Sequence, residues 1–154
     1  MRALILILTA LLIGGCSPQG PRNTGVYLLL DTSGTYNEEL GVKDVCWLVP
    51  DGSEMTEDHW HDPNARCLGM LMDGRAQPTG IRRKGEDVTL LLIVNAHNDA
   101  VNFRLPEVAQ GTAWNCLVDT NRPDLRGNDI HPFNSDFLVT GHSLLLMKLE
   151  RNGN

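Results

Sequence analysis

Aromatic residues are scarce in this sequence, with three Trp, two Tyr and three Phe among 154 positions. That works against an extended sugar-binding platform, which needs exposed aromatic faces bordered by polar groups. Basic charge is also short: a formal net charge of -6 and a pI near 5.2 repel phosphate backbones and exclude nucleic acid as a partner. No apolar run reaches the roughly 20 residues that a bilayer-spanning helix requires. Internal repeats and low-complexity tracts are absent. Cysteine is sparse beyond Cys16. Cys46, Cys67 and Cys116 are odd in number and form no C-x-x-C, which excludes a disulfide framework and a zinc site. They read as small apolar residues of a core, one pair of which could join in an oxidising compartment. His59 and His61 stand two apart, and His97, His131 and His142 are scattered, so all five are expected in turns or at the surface. No cofactor signature is present.

What remains is globular in composition, with 42% apolar and 21% charged residues. Fifteen Gly and eight Pro suit short strands and many turns better than a helical bundle. The first sixteen residues differ from the rest. Arg2 is followed by an apolar run, Ala3 to Ile13, broken only by Thr9, and then by Gly14-Gly15-Cys16. Charge, length and small residues fit a secretory signal. The Ile-Gly-Gly-Cys end resembles a bacterial lipobox, which implies a lipidated Cys16 and membrane attachment through it. Residues 17–40 then read as a polar tether and one strand, Val26 to Leu30.

That strand runs into Asp31-Thr32-Ser33-Gly34-Thr35. The pattern resembles the first strand and metal loop of von Willebrand factor A domains, which implies Asp31, Ser33 and Thr35 as hard oxygen ligands for Mg²⁺. The rest of such a domain does not follow. A solvated turn explains these residues with less.

From Gly41 onward the sequence is a series of short strands. Asp44 to Val49 is strand-like and Pro50-Asp51-Gly52 is a tight turn. Thr56 caps a short helical turn that carries Trp60 and ends at Asp62-Pro63. Cys67 to Met72 is apolar and stops at Asp73-Gly74. Gln77 to Asp87 reads as an exposed loop. Val88 to Val94 is unbroken, the pattern of a strand buried on both faces. Val101, Phe103 and Leu105 alternate as a half-buried partner strand, and Trp114, Cys116 and Val118 alternate as core positions. A long polar loop is expected from Asp119 to Ser135, then a closing hairpin around Thr140-Gly141-His142. This spacing with almost no helix predicts an all-β fold, an antiparallel β-sandwich over residues 41–151.

Several segments, in order, resemble the C-terminal region of bacterial glycogen-debranching enzymes of the isoamylase type, in the α-amylase superfamily. They include Asp44-Val-Cys-Trp-Leu-Val-Pro-Asp-Gly-Ser-Glu-Met-Thr-Glu-Asp-His-Trp60, Leu68-Gly-Met-Leu-Met-Asp-Gly-Arg-Ala76, Leu91-Leu-Ile-Val-Asn-Ala-His97 and Leu138-Val-Thr-Gly-His-Ser-Leu-Leu-Leu146. The resemblance implies an accessory domain of enzymes that hydrolyse α-1,6 branch linkages with three carboxylates on a (β/α)₈ barrel. None of the three carries over, because the matched region follows the barrel. Asp51, Glu54, Glu57 and Asp58 are expected in turns and hairpin ends, unpaired. The implied role is structural and non-catalytic. Its implied partner is a catalytic barrel supplied elsewhere, with α-glucan as a second. Trp47, Met55 and Trp60, at the entry to the domain, are the expected barrel-docking residues and are expected to be partly exposed. The alternative is a membrane-anchored lipoprotein that displays the sandwich as a glycan-binding or interaction module. Localisation divides the same way: a periplasmic or cell-surface anchor if the first residues are genuine, and the cytoplasm for the parent family.

Overall fold

The structure is a computed structural model that describes residues 36–37, 42–76, 88–125 and 128–152. Cys16, Asp31, Ser33, Thr35 and the loop 77–87 lie outside the described residues. By contacts the chain divides into Met1–Leu30 and Asp31–Asn154, and every described residue belongs to the second unit.

The strands are β1 (Tyr36–Asn37), β2 (Val42–Lys43), β3 (Val45–Leu48), β4 (Cys67–Asp73), β5 (Thr89–Asn95), β6 (Val101–Arg104), β7 (Ala113–Asp119), β8 (Ile130–Pro132), β9 (Asp136–Val139) and β10 (Ser143–Glu150), with one helix, α1 (Glu57–His61). β1 and β2 form a small ribbon. The main sheet is antiparallel, six strands in the order β3-β4-β5-β10-β7-β8, and β6 pairs with β9 in a second layer. The result is the expected antiparallel sandwich, one broad sheet with a narrow one laid across its inner face.

Alternation along the strands builds the core between these layers. Leu91 and Ile93 from β5, Leu145, Met147 and Leu149 from β10, and Trp114 and Cys116 from β7 meet Phe103, Leu105 and Val139 from the second layer. Gly69 of β4 lies under the Phe103 ring, and a Cβ there would come within 2.6 Å of it. Trp114, completely buried as expected, donates its indole N–H to Pro106 O at 2.8 Å.

Polar groups close the core at both ends. At one, Asp73 and Thr89 face each other across β4 and β5, and Arg75 Nε donates to Asp73 at 2.9 Å while its Nη1 reaches Gln110 Oε1 at 3.0 Å. Burial acts to raise the Asp73 pKa, but the hydrogen bonds and charge of Arg75 overcome it and leave it below the ordinary value. At the other end, Asn95 is 1% exposed. Its carboxamide donates to Asp99 O at 3.0 Å, Val139 O at 3.0 Å and Thr140 O at 3.1 Å, and accepts from His97 N–H at 2.9 Å. Gly141 sits so close to this turn that a Cβ would fall 2.2 Å from Asn98 O.

Some expectations need correcting. The Thr140–His142 turn is not a hairpin: β9 pairs with β6 while β10 pairs with β5 and β7, so the turn carries the chain from one layer to the other. Likewise, β6 is not a partner of β5. The loop 119–135 contains β8, which pairs with β7 at Trp114↔His131. Val118 is 42% exposed rather than core, because a bulge at Leu117 reverses the alternation of β7. Finally, β5 is fully buried on only one face: Thr89, Leu91, Ile93 and Asn95 are buried, whereas Leu90, Leu92 and Val94 stay partly exposed.

Replacing Asn95 with Asp keeps its shape and removes the N–H donors, which leaves the buried Val139 carbonyl and the part-buried Asp99 and Thr140 carbonyls facing a carboxylate. The expected loss is roughly 3–5 kcal/mol of unfolding free energy. Denaturant titration of the full chain measures it, and a loss below about 1 kcal/mol would mean that the carboxamide does not hold the layers together. The cysteines give a second prediction. Cys46, Cys67 and Cys116 are all free thiols. Burial pushes Cys67 and Cys116 up to about 11, the latter helped by Asp129. At pH 8 only about one thiol in a thousand is then ionised. Iodoacetamide applied to the folded chain should therefore spare the Cys67 and Cys116 peptides under conditions that fully alkylate the unfolded chain. Equal labelling in both states would show that the core opens.

Candidate functional site

The face of the main sheet turned away from β6 and β9 is unusual in its residues. The strand register sets it out in cross-strand rows. Trp47 on β3 opposes Met70 on β4, which opposes Leu92 on β5, then Leu146 on β10 and Val118 on β7. Beside this central row run Val45–Met72–Leu90–Lys148 on one side and Leu68–Val94–Leu144 on the other. All of these except Lys148 are Leu, Met, Val or Trp, at positions where a one-sided sheet carries polar residues. Apart from Trp47, none is fully buried, and Leu117 and Val118 are 45% and 42% exposed. A groove of about 320 Å³ opens at Val45, Met72 and Leu90. A contiguous apolar face of this kind marks a binding surface.

Helix α1 borders the β3 edge of that face. Thr56 is its N-cap, and in place of the usual Glu or Gln the third residue is His59, whose Nδ1 accepts the Thr56 N–H at 3.1 Å. The helix carries Trp60 against Trp47, ring centroids 5.7 Å apart and edge to face. Trp60 is 42% exposed, but Trp47 beneath it is only 9% exposed, so the expectation of a partly exposed Trp47 is corrected. Its indole N–H is buried and meets no hydrogen-bond acceptor among the described residues. Met55 is half-buried and donates its N–H to Trp47 O at 2.7 Å. The three residues singled out from sequence thus come together at one edge of the apolar face. The middle of that face, Met70, Leu92 and Leu146, was missed. The signal lay in the unbroken run Val88 to Val94, which was assigned cover on both faces.

Beside α1 lies a cleft of about 370 Å³ between the turn 49–53, the segment 62–67 and His97. Pro50, Met55 and Ala65 give it apolar walls, and Asp51, His59, Asp62, Arg66 and His97 contribute polar groups.

No arrangement of carboxylates suited to glycoside hydrolysis appears among the described residues. Asp51, Glu54, Glu57 and Asp58 are all exposed. A general acid needs its pKa raised. Asp51 is instead held below its ordinary value by the hydrogen bonds of Ser53. Asp129 is lowered too: burial opposes the shift, but hydrogen bonds from His131 and Arg122 prevail. Nor does any group of three or more His, Cys, Asp or Glu within the described residues converge as a metal site.

The sequence pattern of the family described as isoamylase, C-terminal, matches residues 44–148, the span from the edge of β3 nearly to the end of β10. The chain is 33% identical over 110 residues to the Glycogen operon protein GlgX homolog of Mycobacterium tuberculosis, covering 70% of this chain and 15% of that protein. The protein of the same name from Mycobacterium bovis gives the same figures. Isoamylase 2, chloroplastic, of Oryza sativa subsp. japonica is 30% identical over 84 residues, 54% of this chain and 10% of that protein. The chain therefore spans about 15% or less of the length of these curated relatives. The match runs through both sandwich layers, and this chain belongs to the isoamylase C-terminal domain family.

Proposed function

We propose that this chain acts as the non-catalytic accessory domain of a glycogen-debranching enzyme and docks its apolar sheet face on a catalytic barrel. One observation carries the reading: the Trp47–Met70–Leu92–Leu146–Val118 row and its neighbours form a core-like surface that no described element covers. A sheet apolar on both faces is the pattern of a layer packed between two others. The matched relatives carry most of their length outside the shared segment, which is where a second cover would come from. Trp60 and Met55 extend the docking surface at its β3 edge. Lys148 and Glu150, at the far end of β10, are placed to form its polar rim. Hydrolysis of the α-1,6 linkage is then left to the barrel, since the carboxylates near α1 (Asp51, Glu54, Glu57 and Asp58) are exposed and the buried Asp73 is tied to Arg75. Attachment to a membrane through a lipidated Cys16 is a separate proposal about delivery. Metabolic labelling with palmitate, lost in Cys16→Ser, supports it, and an unlabelled wild-type chain rejects it.

Docking is tested by adding the full chain to a debranching enzyme from which the corresponding C-terminal segment has been deleted. The two should co-elute in gel filtration, and the truncated enzyme should gain thermal stability. Leu92→Asp with Leu146→Asp places two charges in the central row and is expected to weaken the complex at least 100-fold. Because these side chains are partly exposed, the stability of the sandwich should change by no more than about 1–2 kcal/mol. A chain that stays monomeric, binds no apolar dye and ignores the truncated enzyme would sink the proposal. Release of reducing ends from glycogen by the chain alone would refute its non-catalytic part.

A further inference from the structure

The cleft between α1 and the 49–53 turn shares Met55 with the edge of the proposed docking surface but none of its central row, and its chemistry is different. Its apolar walls, Pro50, Met55 and Ala65, are ringed by groups that donate and groups that accept. His59 Nδ1 accepts the Thr56 backbone N–H, so the neutral ring carries its proton on Nε2 and presents a donor outward. His97 has its backbone pinned on both sides, its N–H on Asn95 Oδ1 and its carbonyl on His142 N–H at 3.0 Å, while no hydrogen bond from its ring is found among the described residues. The Arg66 side chain likewise has no hydrogen bond or ion pair among the described residues, although its carbonyl is held by Ala96 N–H at 2.7 Å. The acceptors are equally fixed. Asp51 accepts from both the N–H, at 2.8 Å, and the side chain of Ser53, and Asp62 Oδ1 takes the Asn64 N–H at 2.8 Å, while both carboxylates stay exposed with further acceptor capacity.

Side-chain nitrogen donors on Arg66, His59 and His97 and two exposed carboxylates around an apolar wall suit a ligand with both kinds of hydrogen-bonding group and an apolar face. A simple anion fits poorly, because Asp51 and Asp62 line the same cleft as Arg66. A pyranose ring fits better: its hydroxyls donate and accept, and its C–H face packs on Pro50 and Met55. The volume, about 370 Å³, is at the small end of ligand pockets and takes roughly one or two such rings. We propose that this cleft binds a short α-glucan segment, with Arg66, His59 and His97 donating to its hydroxyls and Asp51 and Asp62 accepting from them. The pyranose is inferred from the cleft. The α-glucan assignment rests on the debranching reading above.

The lining is pre-positioned, which lowers the cost of ordering it on binding. The 49–53 turn is closed by Gly52 N–H on Val49 O at 2.9 Å, the 62–65 turn by Ala65 N–H on Asp62 O at 3.1 Å, and α1 by its capping box. No aromatic ring lines the cleft, and the affinity should be correspondingly weak.

Amide chemical shifts of the ¹⁵N-labelled full chain, followed during titration with maltotriose up to about 20 mM, read the binding directly. The expected shifts are confined to residues 49–67 and 96–98, with a millimolar Kd. Arg66→Ala and His97→Ala should each weaken binding at least fivefold. Leu92→Asp, in the middle of the docking face, should leave it unchanged, so loss of docking and loss of glucan binding are separable. Absence of shifts, shifts mapping outside these residues, or full binding by Arg66→Ala would overturn the site. Inorganic phosphate binding the cleft more tightly than maltotriose would overturn the sugar, and equal affinity for cellobiose would overturn the α-glucan assignment.

Discussion

The sandwich depends on one buried carboxamide. Asn95 ends β5 in the broad sheet, yet its donors are spent on the backbone where β9 leaves the narrow one, at Val139 and Thr140. The chain turns here from β9 in one layer to β10 in the other, and leaving carbonyls at such a crossing buried and unpaired would cost on the order of 1–3 kcal/mol each. Asn95 satisfies them with a group that also accepts the His97 N–H and so shapes its own turn. The approach of Gly141 to Asn98 and the His142 N–H on His97 O follow from the same closeness. Because the network joins two turns that belong to different layers, it fixes where the narrow sheet sits over the broad one. Phe103 then falls on Gly69, the one β4 residue that leaves room for its ring.

That placement makes the two faces of the broad sheet unequal. One is closed by β6, β9 and the polar groups at either end. The other carries the same kind of residue, Leu, Met and Val, without closure from the described elements. Dispersion and hydrophobic terms favour covering it at roughly 25 cal/mol per Å², so the isolated sandwich retains a driving force for association. Membership of a family whose relatives are several times longer gives that force a natural direction.

The sequence made the elements legible and the layers obscure. Strand positions followed from alternation and from turn residues such as Pro50-Asp51-Gly52 and Asp73-Gly74, because these are local effects of backbone geometry. Thr56 and Asp62 bounded α1 for the same reason. Whether β9 and β10 pair with each other was not a local matter. A three-residue turn joins a hairpin or crosses between layers equally well, and the choice was made by the distant Asn95. The bulge at Leu117 was invisible too, since an alternating Trp114-x-Cys116-x-Val118 looks like regular strand until the register with β10 slips. β8 was hidden by its shortness and by Pro132. The docking residues were half legible: Trp47, Met55 and Trp60 stood out as large side chains in a polar stretch, whereas Met70, Leu92 and Leu146 were indistinguishable from core. An apolar residue in sequence says that it will be covered, not what will cover it.

Trp47 shows where the two kinds of cover meet. It heads the central row of the open face, is shielded by Trp60, and holds a buried indole N–H with no acceptor among the described residues. An unpaired donor of this sort is costly, by about 1–3 kcal/mol, and is rare in a finished interior. Within a closed core the same group finds its acceptor, as the Trp114 N–H does on Pro106 O. The difference between the two tryptophans therefore follows the difference between the two faces. Trp114 belongs to the face that the chain completes by itself. Trp47 belongs to the face that the described elements leave open, and under the proposed docking an oxygen reaching in beside Trp60 would satisfy its N–H.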